Sequence, residues 1–228
     1  MKITVEKNII FKSLSHVQSI VEKKNAIPIL SNILIEAKNN SLILSATDMD
    51  ISITDTLNCN VIEEGSITVP AHTLYDIIRK LSDDNEIEFI SNDGKIFSIR
   101  SGKSRFSLGC LPKEEFPIIE VDNLKSELSI DSQELLSLIE KTRFAISSEE
   151  TRYFLNGIYF HKNKDTNDDV LTMVATDGHR LAKIDFNSSD NIVNMPGVII
   201  PRKTIFELSK LLADYSGNIK INVDPNKI

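Results

Sequence analysis

The most suggestive polar cluster in the sequence is Asp177-Gly178-His179-Arg180. A histidine beside a carboxylate is a common acid–base pair, so Asp177 and His179 could serve a hydrolase such as a phosphodiesterase. Asp-Gly is also a strong signal for a tight turn between two strands. No nucleophile elbow and no activated serine or cysteine motif accompanies the cluster. The sequence therefore favours a turn, with the catalytic pair as the alternative.

A second segment, Ser101-Gly102-Lys103-Ser104, ends like a phosphate-binding P-loop. That motif requires a glycine five residues before Gly102, where this chain has Phe97, and it opens a helix, whereas this segment lies between predicted strands. Asp48 and Asp50 lack the ligand-rich loop of a hard-cation site and are typical of a turn. Neither segment therefore predicts a nucleotide or metal site.

The composition is that of a globular protein. The 228 residues are 41% hydrophobic and 26% charged, with a net charge of −7. No stretch nears eighteen uninterrupted apolar residues, and the charged N-terminus lacks the apolar run of a signal peptide. Cys59 and Cys110 are too few for a disulfide framework or a metal cluster. We therefore expect a soluble cytoplasmic protein without a membrane segment, catalytic residues, a metal or a cofactor.

An Ala-Thr-Asp triplet precedes the polar cluster and also occurs earlier, which indicates an internal repeat. Ala46-Thr47-Asp48 and Ala175-Thr176-Asp177 each close an apolar run and lie 129 residues apart. Pro70 and Pro201 each precede an amphipathic segment whose last apolar residue follows 11 positions later. The offset between the copies drifts from 125 at the first strand to 131 at the proline, as loop insertions would produce. The chain is therefore predicted to hold two copies of one unit.

Each unit is predicted to be α+β, with two helices packed on antiparallel sheets. A strand comes first, then a helix, then several strands, and the second helix follows the proline. The predicted helices are residues 7–24, 72–81, 132–147 and 202–212. The first unit has about eight strands. A boundary near Leu124-Lys125 gives domains of 1–125 and 126–228.

The second unit is predicted to be shorter than the first. It ends after a strand at residues 219–223, without counterparts of the last two strands of the first unit. A sheet that ends in this way has an unpaired edge. We therefore expect the chain to be a fragment of a longer protein.

Charge is distributed unevenly between the predicted helices and the rest of the chain. The four helices carry eleven basic and five acidic residues, a net +6, and the remainder carries −13. Lysine in the last turn of a helix is also favoured by the helix dipole, so solvated helix faces would explain the pattern. The alternative is that the helices together offer one basic surface to phosphate groups.

Eight stretches of the chain match the sequence motifs of one bacterial family. They are Met1-Lys2-Ile3-Thr4-Val5, Ile27-Pro28-Ile29-Leu30-Ser31-Asn32, Ala46-Thr47-Asp48, Thr68-Val69-Pro70-Ala71, Arg100-Ser101-Gly102-Lys103-Ser104-Arg105-Phe106-Ser107-Leu108, Arg152-Tyr153-Phe154-Leu155-Asn156-Gly157, Ala175-Thr176-Asp177-Gly178-His179-Arg180-Leu181-Ala182 and Pro201-Arg202-Lys203. The last three blocks in this order are highly specific. Over its full 228 residues the chain resembles the beta sliding clamp family of bacterial DNA polymerase III.

The resemblance implies a duplicated DNA-clamp fold and a role as polymerase processivity factor. Members form a head-to-tail homodimeric ring with three similar domains per subunit, whose helices line a hole for double-stranded DNA. By resemblance, the residues on or near the DNA path are Lys24, Arg79, Tyr153, Phe154, Arg202 and Lys203. Many members have arginine after Pro70-Ala71, where this chain has His72.

Two further surfaces follow from the same resemblance. The family's peptide-binding pocket, which docks replicative and repair DNA polymerases and the clamp loader, corresponds to Arg152, Leu155, Thr176, Gly178, His179, Arg180 and Leu181. The family's dimer interface corresponds to Lys103, Arg105, Phe106 and Leu108, on a strand where Phe106 and Leu108 face one side and Arg105 the other.

Length is the one departure from the family. The third clamp domain and the end of the second are absent from the 228 residues, so we expect that they do not close the ring and that peptide affinity is weakened. Two other classes remain as alternatives. One is the phosphodiesterase, and the other is a static DNA-binding module that would hold linear DNA by affinity alone.

Overall fold

The computed structural model describes residues 1–23, 25–83, 85–92, 94–118, 126–149, 151–163, 170–187, 195–224 and 227–228. The chain divides into two compact units, residues 1–120 and 121–228. The predicted boundary near Leu124-Lys125 lies outside the described residues, so the division at 125/126 stays a prediction. No helix in the described ranges has both the length and the apolar character needed to cross a membrane.

The first unit contains two helices and nine strands in its described part. In chain order they are β1 (Lys2–Glu6), α1 (Lys7–Gln18), β2 (Asn32–Lys38), β3 (Ser41–Thr47), β4 (Ser52–Asn58), β5 (Asn60–Glu63), β6 (Gly65–Pro70), α2 (Ala71–Lys80), β7 (Glu86–Ile90), β8 (Ile96–Ser101) and β9 (Ser104–Gly109). The strands form two antiparallel sheets, in the orders β5-β1-β7-β8-β9 and β4-β3-β2-β6.

The second unit repeats this plan. Its elements are β10 (Ser126–Asp131), α3 (Ser132–Thr142), β11 (Gly157–Lys162), β12 (Val170–Thr176), β13 (Leu181–Asn187), β14 (Val198–Pro201), α4 (Arg202–Ala213) and β15 (Asn218–Val223). The sheet β13-β12-β11-β14 has the order of β4-β3-β2-β6, and the pair β10-β15 corresponds to β1-β7. Among the described residues β15 pairs only with β10, whereas β7 also pairs with β8. The structure confirms the predicted duplication and the α+β class.

The helix pair of each unit lies on the four-stranded sheet of that unit. In the first unit α1 contacts β3 and β4 while α2 contacts β6, and in the second α3 contacts β12 and β13 while α4 contacts β11 and β14. Helical spacing of apolar residues explains the packing, since Ile10, Leu14 and Val17 of α1 are completely buried. Ile139 of α3 and Ile205 of α4 are buried to the same degree.

The first helix is shorter than its apolar pattern predicts. The pattern continues to Val21, but α1 ends at Gln18. Beyond it, the Val21 N–H donates to the Gln18 carbonyl at 3.2 Å in a turn, and the imidazole of His72 lies 2.9 Å from the Val21 carbonyl oxygen. Val21 lies outside the helix but is still buried in the core of the first unit. The prediction of a helix to residue 24 was therefore wrong at its end.

The third helix also ends earlier than predicted, at Thr142, and a single 3₁₀ turn, Arg143–Ala145, follows. The buried hydroxyl of Thr142 lies within hydrogen-bonding distance of the carbonyls of Leu138 and Ile139, at 2.9 and 3.2 Å. Such back-bonding competes with regular helical hydrogen bonds. The start was predicted correctly, because the carboxylate of Asp131 accepts from the Gln133 and Glu134 N–H groups as an N-cap.

The turns that follow the two Ala-Thr-Asp triplets are the clearest local evidence of duplication. In the first copy, the Thr47 hydroxyl accepts from the Met49 N–H, and Asp48 accepts from the N–H groups of Asp50 and Ile51. In the second, the Thr176 hydroxyl and the Asp177 carboxylate accept from the corresponding N–H groups of residues 178, 179 and 180. The third turn residue has positive φ in both, 81° at Met49 and 89° at Gly178.

We expect opposite effects of substitution at these two equivalent positions. Left-handed backbone favours glycine, and Met49 is more than half exposed, so Met49→Gly should raise the free energy of unfolding by roughly 0.5–1 kcal/mol. Gly178→Ala should lower it by about 1 kcal/mol through backbone strain alone, since a Cβ there would meet only Arg152 at an ordinary 3.5 Å. Urea denaturation followed by circular dichroism measures the free energy of unfolding of both variants. A loss of stability in Met49→Gly would contradict the left-handed backbone conformation at Met49.

Candidate functional site

The Asp177-Gly178-His179-Arg180 cluster forms the tight connection between β12 and β13. The Asp177 Oδ1 atom accepts the His179 and Arg180 N–H groups, each at 2.9 Å, and the Arg180 Nε donates to Asp177 Oδ2 at 2.9 Å. The Thr176 hydroxyl donates to the Arg180 carbonyl at 2.7 Å and accepts from Gly178. Polar side chains thus fix the backbone of this turn.

These hydrogen bonds determine the ionisation of Asp177. The backbone N–H groups of His179 and Arg180, followed by the Arg180 guanidinium, hold the pKa of Asp177 at about 2, below its ordinary value of 3.8. A carboxylate with so low a pKa is a weak general base, and both of its oxygens are already bonded. Its partner in residue 179 is the backbone N–H. The geometry favours the turn over the acid–base pair.

Arg152 brings a second segment to this turn. Its Nη1 atom lies 3.5 Å from the position that a Cβ on Gly178 would take, and its Nε pairs with Glu149 at 3.1 Å. Directly after Arg152, a 3₁₀ turn spans Tyr153–Leu155, and the Leu155 carbonyl accepts from the Ser147 N–H at 3.1 Å. The predicted residues 152, 176, 178 and 180 therefore lie around one turn.

Apolar side chains are exposed beside these arginines. Leu181, the first residue of β13, is 63% exposed, and Leu155 is half-buried. Phe144 is 56% exposed, and the Arg180 guanidinium lies over its ring, 5.6 Å from the centroid. Sequence reasoning missed Phe144, although an aromatic residue near the end of the predicted helix 132–147 was a usable signal. The surface combines apolar groups with a rim of hydrogen-bond donors, as peptide-binding sites do.

A second predicted set, the basic and aromatic residues near α4, also comes together. The Arg202 N–H donates to the Asn156 carbonyl at 3.0 Å, which ties the start of α4 to the 3₁₀ turn. Tyr153 and Phe154 in that turn are 79% and 56% exposed, and their rings meet edge to face at 5.6 Å. Arg202 and Lys203 are both partly exposed in the first turn of α4.

Several basic residues of the helices form ion pairs with carboxylates of the same chain, so the helix surfaces carry less unpaired positive charge than the residue count suggests. The Lys7 ammonium donates to the Leu81 carbonyl and the Asp83 carboxylate at 2.5 and 2.6 Å, and its side chain is only 10% exposed. Other pairs join cation to anion within one helix or just beyond its end: Arg79 with Asp76, Arg143 with Glu140, and Lys210 with Glu207. Lys12, Lys80 and Lys141 are exposed. Lys24 lies outside the described residues.

At position 72 the family resemblance implies arginine in many members, and this chain has histidine. Its ring lies against the Val21 carbonyl, where it fixes the chain beyond α1.

The residues Ser101-Gly102-Lys103-Ser104 form a hairpin between β8 and β9, with Gly102 at φ 54° and Ser101 opposite Ser104. This geometry is that of a strand connection and not of a P-loop. Phe106 and Leu108 lie on one face of β9, as predicted. They pair with the buried Ile99 and Phe97, so this face is the interior side of the sheet. Strand β9 is the edge of its sheet, and Phe106 is 38% exposed.

Phe106 also lines a groove with residues of α2. The other walls come from His72, Ile77 and Lys80. No cluster of three or more potential metal ligands occurs in the part of the chain that the structure describes.

Comparison with known proteins identifies the family. Residues 1–120 match the family model for the N-terminal domain of the DNA polymerase III beta subunit, and residues 129–228 match the model for its central domain. The chain belongs to the DNA polymerase III beta subunit family. The beta sliding clamp of Caulobacter vibrioides is 46% identical over 229 residues, covering all of this chain, and that of Rickettsia bellii is 36% identical over 231.

Solved structures of beta subunits agree in fold. The crystal structure of the Caulobacter crescentus clamp superposes with a TM-score of 0.95 at 46% identity, over 99% of this chain and 60% of that one. A Bartonella birtlesii clamp bound to griselimycin gives 0.93 at 46% identity, over 99% and 60%. The chain spans 62% of the length of the Caulobacter vibrioides clamp and 59% of that of Rickettsia bellii.

We predict that the turn around Asp177 loosens in acid. Because the folded pKa of about 2 lies below the ordinary 3.8, the charged carboxylate favours the folded turn above pH 4, and this contribution is lost as the pH falls toward 2. An NMR titration should give a carboxyl midpoint near 2, with faster amide exchange at His179 and Arg180 over the same range. Asp177→Asn should abolish the pH dependence. A midpoint near 4 would contradict the bonding described.

Proposed function

We propose that this chain is part of a DNA polymerase processivity clamp. In this role the protein encircles double-stranded DNA, slides without sequence preference and tethers replicative and repair polymerases and the clamp loader. The observation that carries the proposal is the match of both units to the beta subunit family. The excess of basic over acidic residues on α1, α2 and α4 supports it.

A sliding clamp needs phosphate contacts without base readout. Arginine and lysine attract the phosphate backbone at any sequence, and water between the groups keeps the contact loose enough for movement. We propose Lys24, Arg79, Tyr153, Phe154, Arg202 and Lys203 as residues on the DNA path. The exposure of Tyr153 and Phe154 next to Arg202 supports a common surface in the second unit.

The turn between β12 and β13 is proposed to bind partner peptides. Its residues are Arg152, Leu155, Thr176, Gly178, His179, Arg180 and Leu181. The exposed Leu181 and the half-buried Leu155 supply apolar anchors for the peptide. The arginines and the backbone groups of the turn orient the bound peptide through hydrogen bonds. Because the pKa of Asp177 is held at about 2, its carboxylate is ionised at physiological pH and accepts the backbone N–H groups of the turn.

We propose that β9 contributes to the interface of a homodimeric ring through Lys103, Arg105, Phe106 and Leu108. An edge strand with a half-exposed aromatic residue is suited to pairing with another chain. The domain division is proposed at 125/126. The role requires neither a catalytic residue nor a cofactor, and it places the protein in the cytoplasm with bacterial DNA.

We predict that Arg202→Ala weakens the binding of linear duplex DNA by roughly three- to tenfold. It should also reduce the salt slope of log K by about 0.9 for each phosphate that is no longer neutralised. Fluorescence anisotropy with two duplexes of unrelated sequence measures both quantities, and the two sequences should give the same result. Lys183→Ala is the matched control, because Lys183 is a cation on strand β13 that pairs with Asp185.

The same titration separates the sliding clamp from a static DNA-binding module. A clamp subunit should bind linear duplex weakly and with a steep salt dependence, since retention comes from enclosure. Tight binding at 150 mM salt, or a preference for one duplex, would favour the static module. Equal losses in Arg202→Ala and Lys183→Ala would count against the proposed DNA surface.

For the peptide site, we predict that Leu181→Ala lowers the affinity for a labelled polymerase C-terminal peptide by about tenfold. The side chain is 63% exposed, so its truncation should leave folding intact. Ile199→Ala is the control, because Ile199 is an exposed apolar residue on β14 outside the proposed pocket. Unchanged affinity in Leu181→Ala, or an equal loss in the control, would argue against the site.

A further inference from the structure

Two arginines from different parts of the second unit lie over the ring of one aromatic residue of α4. The guanidinium carbons of Arg143 and Arg202 each lie over the Phe206 ring, 5.5 Å from its centroid. Arg143 follows α3, whereas Arg202 begins α4. Phe206 is 37% exposed and is not a member of the buried core of this unit. Its role is therefore not explained by core packing.

The ring restricts two long side chains that would otherwise sample many rotamers. A guanidinium over an aromatic face is attracted to the ring quadrupole, and this attraction limits the rotamers of the arginine. Arg143 is held further by Glu140, whose carboxylate lies 2.8 Å from its Nη2. Stacking on a ring leaves the N–H donors in the plane of the guanidinium, so the donors of Arg143 other than the Nη2 paired with Glu140 are the ones proposed to meet a phosphate.

The distances also limit the separation of the two charges. Since each guanidinium carbon lies 5.5 Å from the same centroid, the two carbons are at most 11 Å apart. Duplex DNA advances about 3.4 Å per nucleotide along each strand, so this limit corresponds to the rise of about three base pairs. The two arginines can therefore address phosphates that are close neighbours on the backbone.

The first unit has the same arrangement at the equivalent position. Tyr75 follows Pro70 by five residues, as Phe206 follows Pro201. The guanidinium carbon of Arg79 lies 5.8 Å from the centroid of the Tyr75 ring, and Phe11 stacks on that ring at 5.3 Å. The arginine comes from a different position in each unit, while the aromatic position is shared. The common feature of the two copies is an aromatic ring on the second helix that holds guanidinium groups.

We propose that Phe206 is a positioning residue for DNA binding. It acts through Arg143 and Arg202, which it holds together so that they engage adjacent phosphates of double-stranded DNA. The inference rests on the proposed function, because it assumes that this helix surface meets DNA. It adds to that function a specific residue that carries no charge and makes no phosphate contact itself.

The test uses four variants of the full chain, which are two single substitutions of Phe206, a double arginine variant and the corresponding triple variant. Binding is measured by anisotropy titrations with a 30-base-pair duplex at several salt concentrations. Phe206→Leu retains an apolar side chain but removes the π face, and it should weaken binding by about three- to tenfold. Phe206→Tyr should bind like the unmodified chain, since tyrosine serves at the equivalent position 75. In a chain that carries Arg143→Ala and Arg202→Ala, adding Phe206→Leu should change affinity no further.

Controls separate positioning from a general structural effect. Tyr215→Leu removes another half-exposed aromatic side chain of the second unit and should leave DNA affinity unchanged. Thermal melting should show that every variant remains folded at the temperature of the titrations. A Phe206→Leu chain that is folded and binds DNA with unchanged affinity would overturn the proposal. The proposal would also fail if Phe206→Leu weakened binding as much in the chain with Arg143→Ala and Arg202→Ala as it does in the unmodified chain.

The outcomes also distinguish this inference from the function on which it rests. If the unmodified chain binds duplex and the arginine variants weaken binding while Phe206→Leu does not, only the positioning role fails. If the unmodified chain does not bind duplex even at 20 mM salt, the proposed DNA surface fails together with the positioning role.

Discussion

The structure depends on the burial of one apolar stripe of each helix against a four-stranded antiparallel sheet. Ile10, Leu14 and Val17 in α1 are completely removed from solvent, and Ile139 and Ile205 are buried in the same way in the second unit. Because these stripes are fixed inward, the polar and basic residues between them must face outward. The same packing that gives each unit its core therefore also decides which side chains are available to a partner.

Both copies of the unit are built on this packing, and they differ in their turns and in their helix surfaces. Both copies keep a hydroxyl and a carboxylate that bond the backbone of the turn after Ala-Thr-Asp. Only the second copy places glycine at the left-handed position, with Arg152 against it. Because Arg152 lies beside this glycine, one copy of the same turn has guanidinium donors next to the exposed Leu181.

The charge of the helices is organised more by local pairing than by the number of cations. Lys7 links the start of α1 to the chain after α2, and three other helix cations pair with carboxylates three residues away. Aromatic rings at equivalent positions hold arginines in both units. A helix face arranged in this way presents few, oriented donors, which suits loose and sequence-independent contact with phosphate better than a dense cationic patch would.

Local sequence patterns were enough to predict the duplication, the α+β class and the start of α3, because these follow from repeated motifs and from the periodicity of apolar residues. The motifs at residues 152–157, 175–182 and 201–203, in this order, pointed to the family. Beyond the end of α1 a tertiary contact holds the chain, since the His72 ring lies against the Val21 carbonyl oxygen. Helix α3 ends at Thr142, whose hydroxyl bonds the carbonyls of residues three and four positions earlier. The tertiary structure also leaves the Lys7 side chain almost buried, and it places arginine guanidinium groups over the rings of Phe144 and Phe206. These pairings join residues that are distant in sequence or depend on side-chain direction, and a count of charges contains neither.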